Sequence, residues 1–301
     1  MLDSQGHRIA DFDGDGVGDM VATVLSPRQI RVYTTDTIVF TPIPASSGVD
    51  SVEAMHIDGD GHTDLVVSGQ FYANVGDGSF IPFAVLGTEH VQGRLSRGHF
   101  NPVPDARDDL LVLEDDGALW AWVADQGSYV PSLLAEDVTS VAVGDYWSEG
   151  SDRVVLRTAD GTSSKRFVQS WQPAEPLPVE LGPGTLIGGR ELLTAYSDSS
   201  LVSWRNINQL EYVQLPNSEM KLLILDADGD GDEDMLAVES SGSSSIILFA
   251  GPEAWECWAP VDGFHPTVPG HFVAGDLDGS GGDEFLYKFY HTLGRQRLTY
   301  P

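Results

Sequence analysis

Aspartates recur at alternate positions in four short, glycine-rich segments of the chain. The first segment runs from Asp11 to Asp19 and reads Asp-Phe-Asp-Gly-Asp-Gly-Val-Gly-Asp. Related nine-residue segments occupy 56–64, 226–234 and 276–284. Ca²⁺ takes about six to eight oxygen ligands, and a short loop supplies them from alternate residues. The pattern therefore predicts three to four calcium-binding loops.

The predicted ligands are the side chains at positions one, three, five and nine of each segment and the backbone carbonyl at position seven. They are Asp11, Asp13, Asp15, Val17 and Asp19 in the first segment; Asp58, Asp60, His62 and Asp64 in the second; Asp226, Asp228, Asp230, Asp232 and Asp234 in the segment 226–234; and Asp276, Asp278, Ser280, Gly282 and Glu284 in the last. In the second segment His56 replaces the first aspartate, and imidazole is a poor calcium ligand. This segment is therefore expected to bind calcium more weakly, with water completing the site.

Physical chemistry favours calcium over the alternatives for these loops. Four carboxylates within a few ångströms repel one another unless a cation neutralises them, and Mg²⁺ demands a tighter octahedron than such a loop offers. An EF-hand needs glutamate at its twelfth position and a helix on each side. The first segment has Ala22 at that position and β-like flanks, so the EF-hand interpretation fails. An ordinary polar turn explains one copy of the pattern but not four.

The acidic loops belong to a longer repeat of seven units. In each unit an apolar run precedes a polar loop that ends on an acid, and a second apolar run follows at once. The terminal acids lie 39 to 50 residues apart, at Asp19, Asp64, Asp109, Asp152, Glu191, Asp234 and Glu284. A period of about 40–45 residues is typical of four-stranded propeller blades.

The prediction is therefore an all-β chain that forms a single seven-bladed β-propeller over residues 1–301. Its blades are placed roughly at 6–45, 51–88, 93–135, 139–181, 185–216, 219–262 and 270–301. A pair of β-sandwiches would not require seven equal periods, and a β-helix would require a shorter one. The loops of the third, fourth and fifth units lack the ligand series and are expected to bind no metal.

Local patterns within one period support antiparallel blades. After Asp64 come the apolar runs 65–68 and 71–74, then a Gly-Asp-Gly-Ser turn at 76–79 and a further apolar run at 80–83. The unit after Asp109 repeats this plan, with an Asp116-Gly117 turn between two apolar runs. Such turns between short apolar runs are a strong hairpin signal.

Composition excludes several classes of partner. The net charge is -30, from 46 acidic and 16 basic residues. Such a surface repels phosphate backbones, so nucleic acid is not an expected partner. No apolar run reaches about 18 residues, which argues against membrane insertion, and the first residues do not resemble a signal peptide. The single cysteine excludes a disulfide framework and a thiolate zinc site.

The strand–loop–strand units resemble the FG-GAP and VCBS repeats of integrin α-chain propellers and of many bacterial secreted proteins. The turn from Gly76 to Phe80 is also similar to the VCBS pattern. The resemblance covers nearly the whole chain and is most specific in units one, two, six and seven. It implies calcium in the loop between the first two strands of a blade, an extracellular or cell-surface setting, and a role in adhesion or ligand recognition.

Three hypotheses for function remain open from the sequence. The first is a non-catalytic recognition module that binds a glycan or a protein ligand. The second is an enzyme, because some polysaccharide lyases resemble this architecture; however, the chain has no Gly-x-Ser-x-Gly elbow and no His-Glu-x-x-His motif. The third is a scaffold domain of a larger surface protein.

Overall fold

The structure is a computed structural model of the chain. The structure describes residues 7–25, 28–34, 37–43, 51–83, 93–101, 107–125, 128–168, 170–177, 181, 184–190, 192–197, 200–205, 209–214, 220–226, 229, 231, 233–239, 246–249, 272–289 and 292–297. Throughout these residues the regular structure is β-strand, as the sequence predicts. They contain no helix that could span a membrane.

Most described strands form antiparallel sheets of three or four strands that follow the chain in order. Sheet 1 contains β1 (His7–Ala10), β2 (Asp19–Leu25), β3 (Arg28–Tyr33) and β4 (Ile38–Pro42); sheet 2 contains β5 (Val52–Met55), β6 (Asp64–Val67), β7 (Gln70–Asn74) and β8 (Phe80–Phe83); sheet 3 contains β9 (Arg94–Gly98), β10 (Asp109–Leu113), β11 (Leu119–Asp125) and β12 (Ser128–Ala135).

The remaining sheets continue this plan. Sheet 4 contains β13 (Ser140–Gly144), β14 (Arg153–Thr158), β15 (Gly161–Lys165) and β18 (Glu175–Pro176), with a small ribbon of β16 (Phe167–Val168) and β17 (Ser170–Trp171) inserted before its last strand; sheet 5 contains β19 (Thr185–Gly188), β20 (Leu192–Ser197), β21 (Ser200–Arg205) and β22 (Gln209–Gln214); sheet 6 contains β23 (Met220–Leu225), β24 (Asp234–Glu239) and β25 (Ile246–Phe249); sheet 7 contains β26 (Phe272–Gly275), β27 (Glu284–Phe289) and β28 (Thr292–Arg297).

Tight turns join neighbouring strands where the sequence supplies residues that tolerate positive φ. Between β6 and β7 only Ser68 and Gly69 leave the ladder, with φ of 44° and 82°. Two consecutive positive φ values match the twist of a two-residue hairpin. The predicted hairpins after Asp64 and Asp109 are thereby confirmed.

The core lies between consecutive sheets. In β6 all four residues are buried, and successive side chains of a strand point to opposite faces. Leu65 and Val67 pack with residues of sheet 1, whereas Val66 packs with residues of sheet 3. A strand with two buried faces explains why the chain shows continuous apolar runs rather than alternation.

First strands of neighbouring sheets contact one another from β23 through β26, β1, β5, β9 and β13 to β19. Strand β1 lies beside both β5 and β26, so the first described sheet contacts the last. At this junction the backbone N–H of Gly18 donates to the carbonyl of Asp276 at 2.8 Å. The loops that follow the first strands of contacting sheets therefore lie side by side, and the side of the sheets that they form is called the rim below.

Candidate metal-binding loops on one rim

Loop 1, residues 11–19, connects β1 to β2 and is organised by its first aspartate. Asp11 Oδ1 accepts a hydrogen bond from the N–H of Gly14 at 2.7 Å, and Oδ2 accepts one from Gly16 at 3.0 Å. Both glycines have positive φ, 79° and 83°, which a residue with a Cβ adopts only at a cost. The two glycines thus allow the backbone to wrap around the Asp11 carboxylate.

Three carboxylates of loop 1 converge. One carboxylate oxygen each of Asp11, Asp13 and Asp15 lies within 4.8 Å of the others. Among the described residues this is the one group of three or more acidic, histidine or cysteine side chains that meets this distance. The structure therefore brings together three of the predicted ligands, all of them hard oxygen donors suited to Ca²⁺.

Asp19 ends the loop with an unsatisfied oxygen. It is 1% exposed, and its Oδ2 accepts hydrogen bonds from the N–H groups of Phe12 at 2.9 Å and Asp13 at 3.2 Å. Its Oδ1 is buried and has no hydrogen-bond partner. Burial, together with the negative charges of Asp13 and Asp15, raises the pKa of Asp19 to about 6. The Asp19 carboxylate does not join the group formed by Asp11, Asp13 and Asp15. A cation bound in the loop would still compensate its negative charge and could partner its buried oxygen, so the residues present fit a divalent metal.

Loop 2, residues 56–64, keeps the backbone plan but differs at its side chains. Asp64 is buried, and both of its carboxylate oxygens accept N–H donors, from Ile57 and Asn74, each at 2.7 Å. Asp58 and Asp60 cap the N–H groups two residues further along the loop. The structure does not bring the carboxylates of Asp58, Asp60 and Asp64 to the mutual distance reached in loop 1.

Loops 6 and 7, residues 226–234 and 276–284, repeat the first-position capping. Asp226 accepts the N–H groups of Gly229 at 2.8 Å and Gly231 at 3.0 Å, as Asp11 does in loop 1. Asp276 accepts those of Ser280 at 3.1 Å and Gly281 at 2.9 Å.

The other predicted ligands of these two loops are placed unevenly. Asp278 caps Ser280, Gly282 is buried, Asp234 is 1% exposed, and the backbone of Glu284 begins β27. Asp228, Asp230 and Asp232 lie outside the described residues.

Strand register corrects the sequence alignment of loop 4, residues 145–153. In loop 1 the last ladder pair before the loop joins Ala10 to Asp19. In loop 4 the equivalent pair joins Gly144 to Arg153, so Arg153 and not Asp152 holds the ninth position. The prediction that Asp152 ends this loop is wrong by one residue, because acidic character and not strand pairing guided the alignment. Loop 3, which connects β9 to β10, ends on Asp109 as predicted, opposite Gly98. Glu191 lies outside the described residues.

Acidic side chains at the eighth position of a loop form hydrogen bonds with the preceding loop. The sequence analysis did not predict these contacts. Such an acid accepts the N–H of the first residue of the preceding loop. The pairs are Asp108 with His56 at 2.7 Å, Asp152 with His99 at 2.7 Å, and Asp283 with Asp226 at 2.9 Å. Glu233 accepts the N–H of Arg190 in the same way. Adjacent acidic pairs such as Asp108-Asp109 and Asp283-Glu284 are the signal that could have revealed these contacts.

Comparison with solved structures identifies the fold. The structure matches BBS1N, solved in complex with ARL6DN, with a TM-score of 0.62 at 11% identity, over 94% of this chain and 88% of that chain. It matches virginiamycin B lyase from Staphylococcus aureus with a TM-score of 0.59 at 14% identity, over 95% of this chain and 91% of that chain. Both are β-propeller-like. This chain has a propeller-like all-β fold.

No family model and no curated protein sequence matches the chain. At identities of 11% and 14% the likeness to the two structures shows the fold alone. Function must therefore be argued from the loops themselves.

Proposed function

We propose that the chain is a seven-bladed β-propeller of the FG-GAP/VCBS type whose acidic loops bind Ca²⁺ and stabilise a recognition surface. Each of the sheets 1 to 7 would be one blade. The contact between β1 and β26 supports a closed ring. In five of the sheets, four described strands pair side by side in chain order, as four-stranded blades require.

One observation carries the calcium proposal. Asp11, Asp13 and Asp15 bring three carboxylate oxygens within 4.8 Å of one another, and the buried Oδ1 of Asp19 has no hydrogen-bond partner. Uncompensated carboxylates at this spacing are costly, and a cation removes the cost. Asp11, Asp13, Asp15 and Asp19, with the carbonyl of Val17, would hold the ion in loop 1. Equivalent residues would hold it in loops 6 and 7, and more weakly in loop 2.

The role of the metal in this proposal is structural. Calcium would neutralise part of the net charge of -30 and fix the loops of one rim, while the chain recognises a glycan or a protein through its other loops. An extracellular or cell-surface setting fits such loops, because calcium sites of extracellular modules work at roughly 10⁻⁴ to 10⁻³ M. We propose no catalytic residues.

Thermal unfolding tests the metal. Calcium bound only to the folded state adds RT ln(1 + [Ca²⁺]/Kd), about 2.7 kcal/mol per site at a hundredfold excess over Kd. The melting temperature should rise in calcium, fall in EDTA and respond less to magnesium. The variant D13N should bind one Ca²⁺ fewer by titration calorimetry. The control D160N, in the exposed turn between β14 and β15, should bind the wild-type number.

A glycan array, run with calcium and again with EDTA, tests recognition. Calcium-dependent binding of one sugar class would support the recognition role and a glycan ligand. Absence of binding in both buffers, with the calcium effect on unfolding intact, would reject the glycan and direct the search to a protein ligand. An unfolding curve that is identical in calcium and EDTA would reject the calcium proposal itself.

A further inference from the structure

Loop 4, residues 145–153, adopts the backbone of an acidic loop although its sequence lacks the acidic series. Its first residue, Asp145, accepts the N–H groups of Glu149 at 2.7 Å and Gly150 at 2.8 Å. Asp276 caps the same two positions of loop 7. The fourth and sixth residues, Ser148 and Gly150, have positive φ of 52° and 76°.

A positive φ at Ser148 is notable because serine has a Cβ and adopts it at a cost. In loops 1, 2, 6 and 7 this fourth position is glycine. The second position of the loop is buried in both cases, since Tyr146 of loop 4 is 0% exposed and Phe12 of loop 1 is 1% exposed. Loop 4 is thus held in the same shape against a backbone preference, and other contacts must offset that cost.

The charge at the end of the loop is reversed. Arg153 stands at the ninth position, where Asp19 stands in loop 1. Its side chain is 7% exposed, so its guanidinium is largely removed from water. A cation in such a place requires close anionic partners.

The partners of Arg153 come from the third and fifth positions of the same loop. Glu149, at position five, accepts hydrogen bonds from Nε at 3.0 Å and from Nη2 at 2.9 Å, a two-pronged pairing. Trp147, at position three, lies under the guanidinium with 4.2 Å between Cζ and the ring centroid. Glu175 of β18 accepts a further hydrogen bond from Nη1 at 3.3 Å.

In loop 1 the corresponding third and fifth positions are Asp13 and Asp15, two of the three converging carboxylates. The same two positions therefore face a cation in both loops, if the proposed calcium site of loop 1 is correct. A guanidinium with a bidentate carboxylate and an aromatic face is a well-satisfied cation. The ninth residue supplies a ligand in one case and the cation itself in the other.

We propose that the guanidinium of Arg153 takes the place of the metal ion in loop 4, so that this loop is closed by a cation that belongs to the chain. Loop 4 then keeps its shape at any calcium concentration. Its eighth residue, Asp152, accepts the N–H of His99, so a rigid loop 4 also anchors loop 3 without metal. The rim would combine calcium-dependent loops with one self-contained loop.

Hydrogen exchange of backbone amides, measured by mass spectrometry with calcium and with EDTA, tests this proposal loop by loop. In the wild-type chain the amides of 145–152 should exchange at the same rate in both buffers. In R153Q these amides should exchange about ten- to a hundredfold faster, because the charge-assisted pairing to Glu149 is lost. Calcium should not restore their protection. R153K should show an intermediate rate, since it keeps the charge but loses the bidentate geometry.

The control is R94Q, which removes an exposed arginine of β9 and should leave the exchange of 145–152 unchanged. Wild-type rates in R153Q would overturn the proposal, and so would a wild-type loop 4 that loses protection in EDTA, because a metal would then bind there. The amides of 12–18 in loop 1 report separately on the proposed calcium site. Their indifference to EDTA would reject calcium in loop 1, whereas the behaviour of R153Q would still decide whether Arg153 closes loop 4.

Discussion

His99 and Asp108 close loop 3 with a hydrogen bond of 2.9 Å between Nε2 and Oδ1. The second oxygen of Asp108 faces His56 of loop 2, whose Nδ1 lies 3.3 Å away. One buried carboxylate, 3% exposed, therefore contacts an imidazole from each of two neighbouring loops. The hydrogen bond with Asp108 raises the pKa of each histidine, although burial opposes the shift. Burial likewise opposes the two histidine hydrogen bonds that lower the pKa of Asp108.

This arrangement predicts a pH-dependent contribution to stability. The histidine contribution is complete below the unfolded pKa of about 6.5 and is lost as pH rises through the raised folded values. The Asp108 contribution is present above about 3.9 and is lost as pH falls through its lowered folded value. Between about pH 4 and 6.5, H99Q should therefore lose most stability relative to wild type, about 1 kcal/mol at most because His99 is 62% exposed.

Denaturant unfolding at pH 5.5 and pH 8.5 measures this difference. The negative charges of Asp152 and Asp109 also favour the protonated form of His99. For His56, the charge of Asp64 favours the protonated form and that of Arg97 opposes it. The control N101A, in loop 3, removes no titratable group and should lose the same stability at both pH values. A deficit in H99Q that grows from pH 5.5 to pH 8.5 would contradict the ion-pair explanation.

Asp19 and Asp109 provide a matched pair of ninth-position variants. Both oxygens of Asp109 accept N–H groups, Oδ1 from Ala124 at 2.7 Å and Oδ2 from Phe100 at 2.6 Å. In D109N an amide NH₂ must face one of these donors, so the variant should lose about 1–3 kcal/mol equally in calcium and in EDTA. Asp19 has one unpartnered oxygen, where an amide group meets no donor.

D19N is therefore expected to cost little in EDTA and about 2.7 kcal/mol in a hundredfold excess of calcium, when its site is lost. Chemical denaturation of both variants in the two buffers provides the comparison. Equal losses for D19N with and without calcium would remove Asp19 from the metal site.

Gly18 is required where sheets 1 and 7 meet. A Cβ at this residue would overlap the carbonyl oxygen of Asp276, and its nearest side-chain neighbour would be Ile9 at 2.9 Å. Backbone atoms cannot move aside as side-chain ends do, so G18A should separate Gly18 N–H from its acceptor and cost about 2 kcal/mol or more. Limited proteolysis should then cleave near this junction first.

The comparison variant for the junction is G161A, at the first residue of β15. Open space surrounds that position, whose φ is 132°, so the substitution adds backbone strain alone and leaves the junction intact. Loss of the same stability in G18A and G161A, with the same cleavage pattern, would argue against a close approach at Gly18.

Asn74 joins sheets 1 and 2 through its amide. It is 2% exposed, and its Nδ2 donates to the carbonyls of Phe12 at 2.7 Å and Thr63 at 3.0 Å. N74D places a carboxylate oxygen against two carbonyls, and should cost about 3 kcal/mol or more at pH 7. N74A should cost less, about 2 kcal/mol, since it leaves the carbonyls unsatisfied without adding a charge.

Unfolding at pH 4 separates charge from shape at Asn74. Protonation should return part of the stability of N74D, while N74A should show no matching change. A N74D variant that is as stable as N74A at pH 7 would show that the repulsion is relieved by local movement.

Much of loop 1 could be predicted from the sequence, because its determinants lie within nine residues. Asp11 caps Gly14 and Gly16, and the glycines need no support from elsewhere to adopt positive φ. The strands after Asp64 and Asp109 could also be predicted from the sequence, since turn residues bound their apolar runs. Blade limits, calcium and the ligand remain predictions.

The sequence by itself determined the all-β class, the period and the acidic loops, because strand pairing in hairpins and aspartate capping are local interactions. Only the tertiary structure decided that Arg153, rather than Asp152, ends loop 4, since that depends on ladder register with Gly144. It also decided which acids join the loops. Asp108 and His56 are 52 residues apart in the chain, and such partners meet only when neighbouring sheets pack face to face.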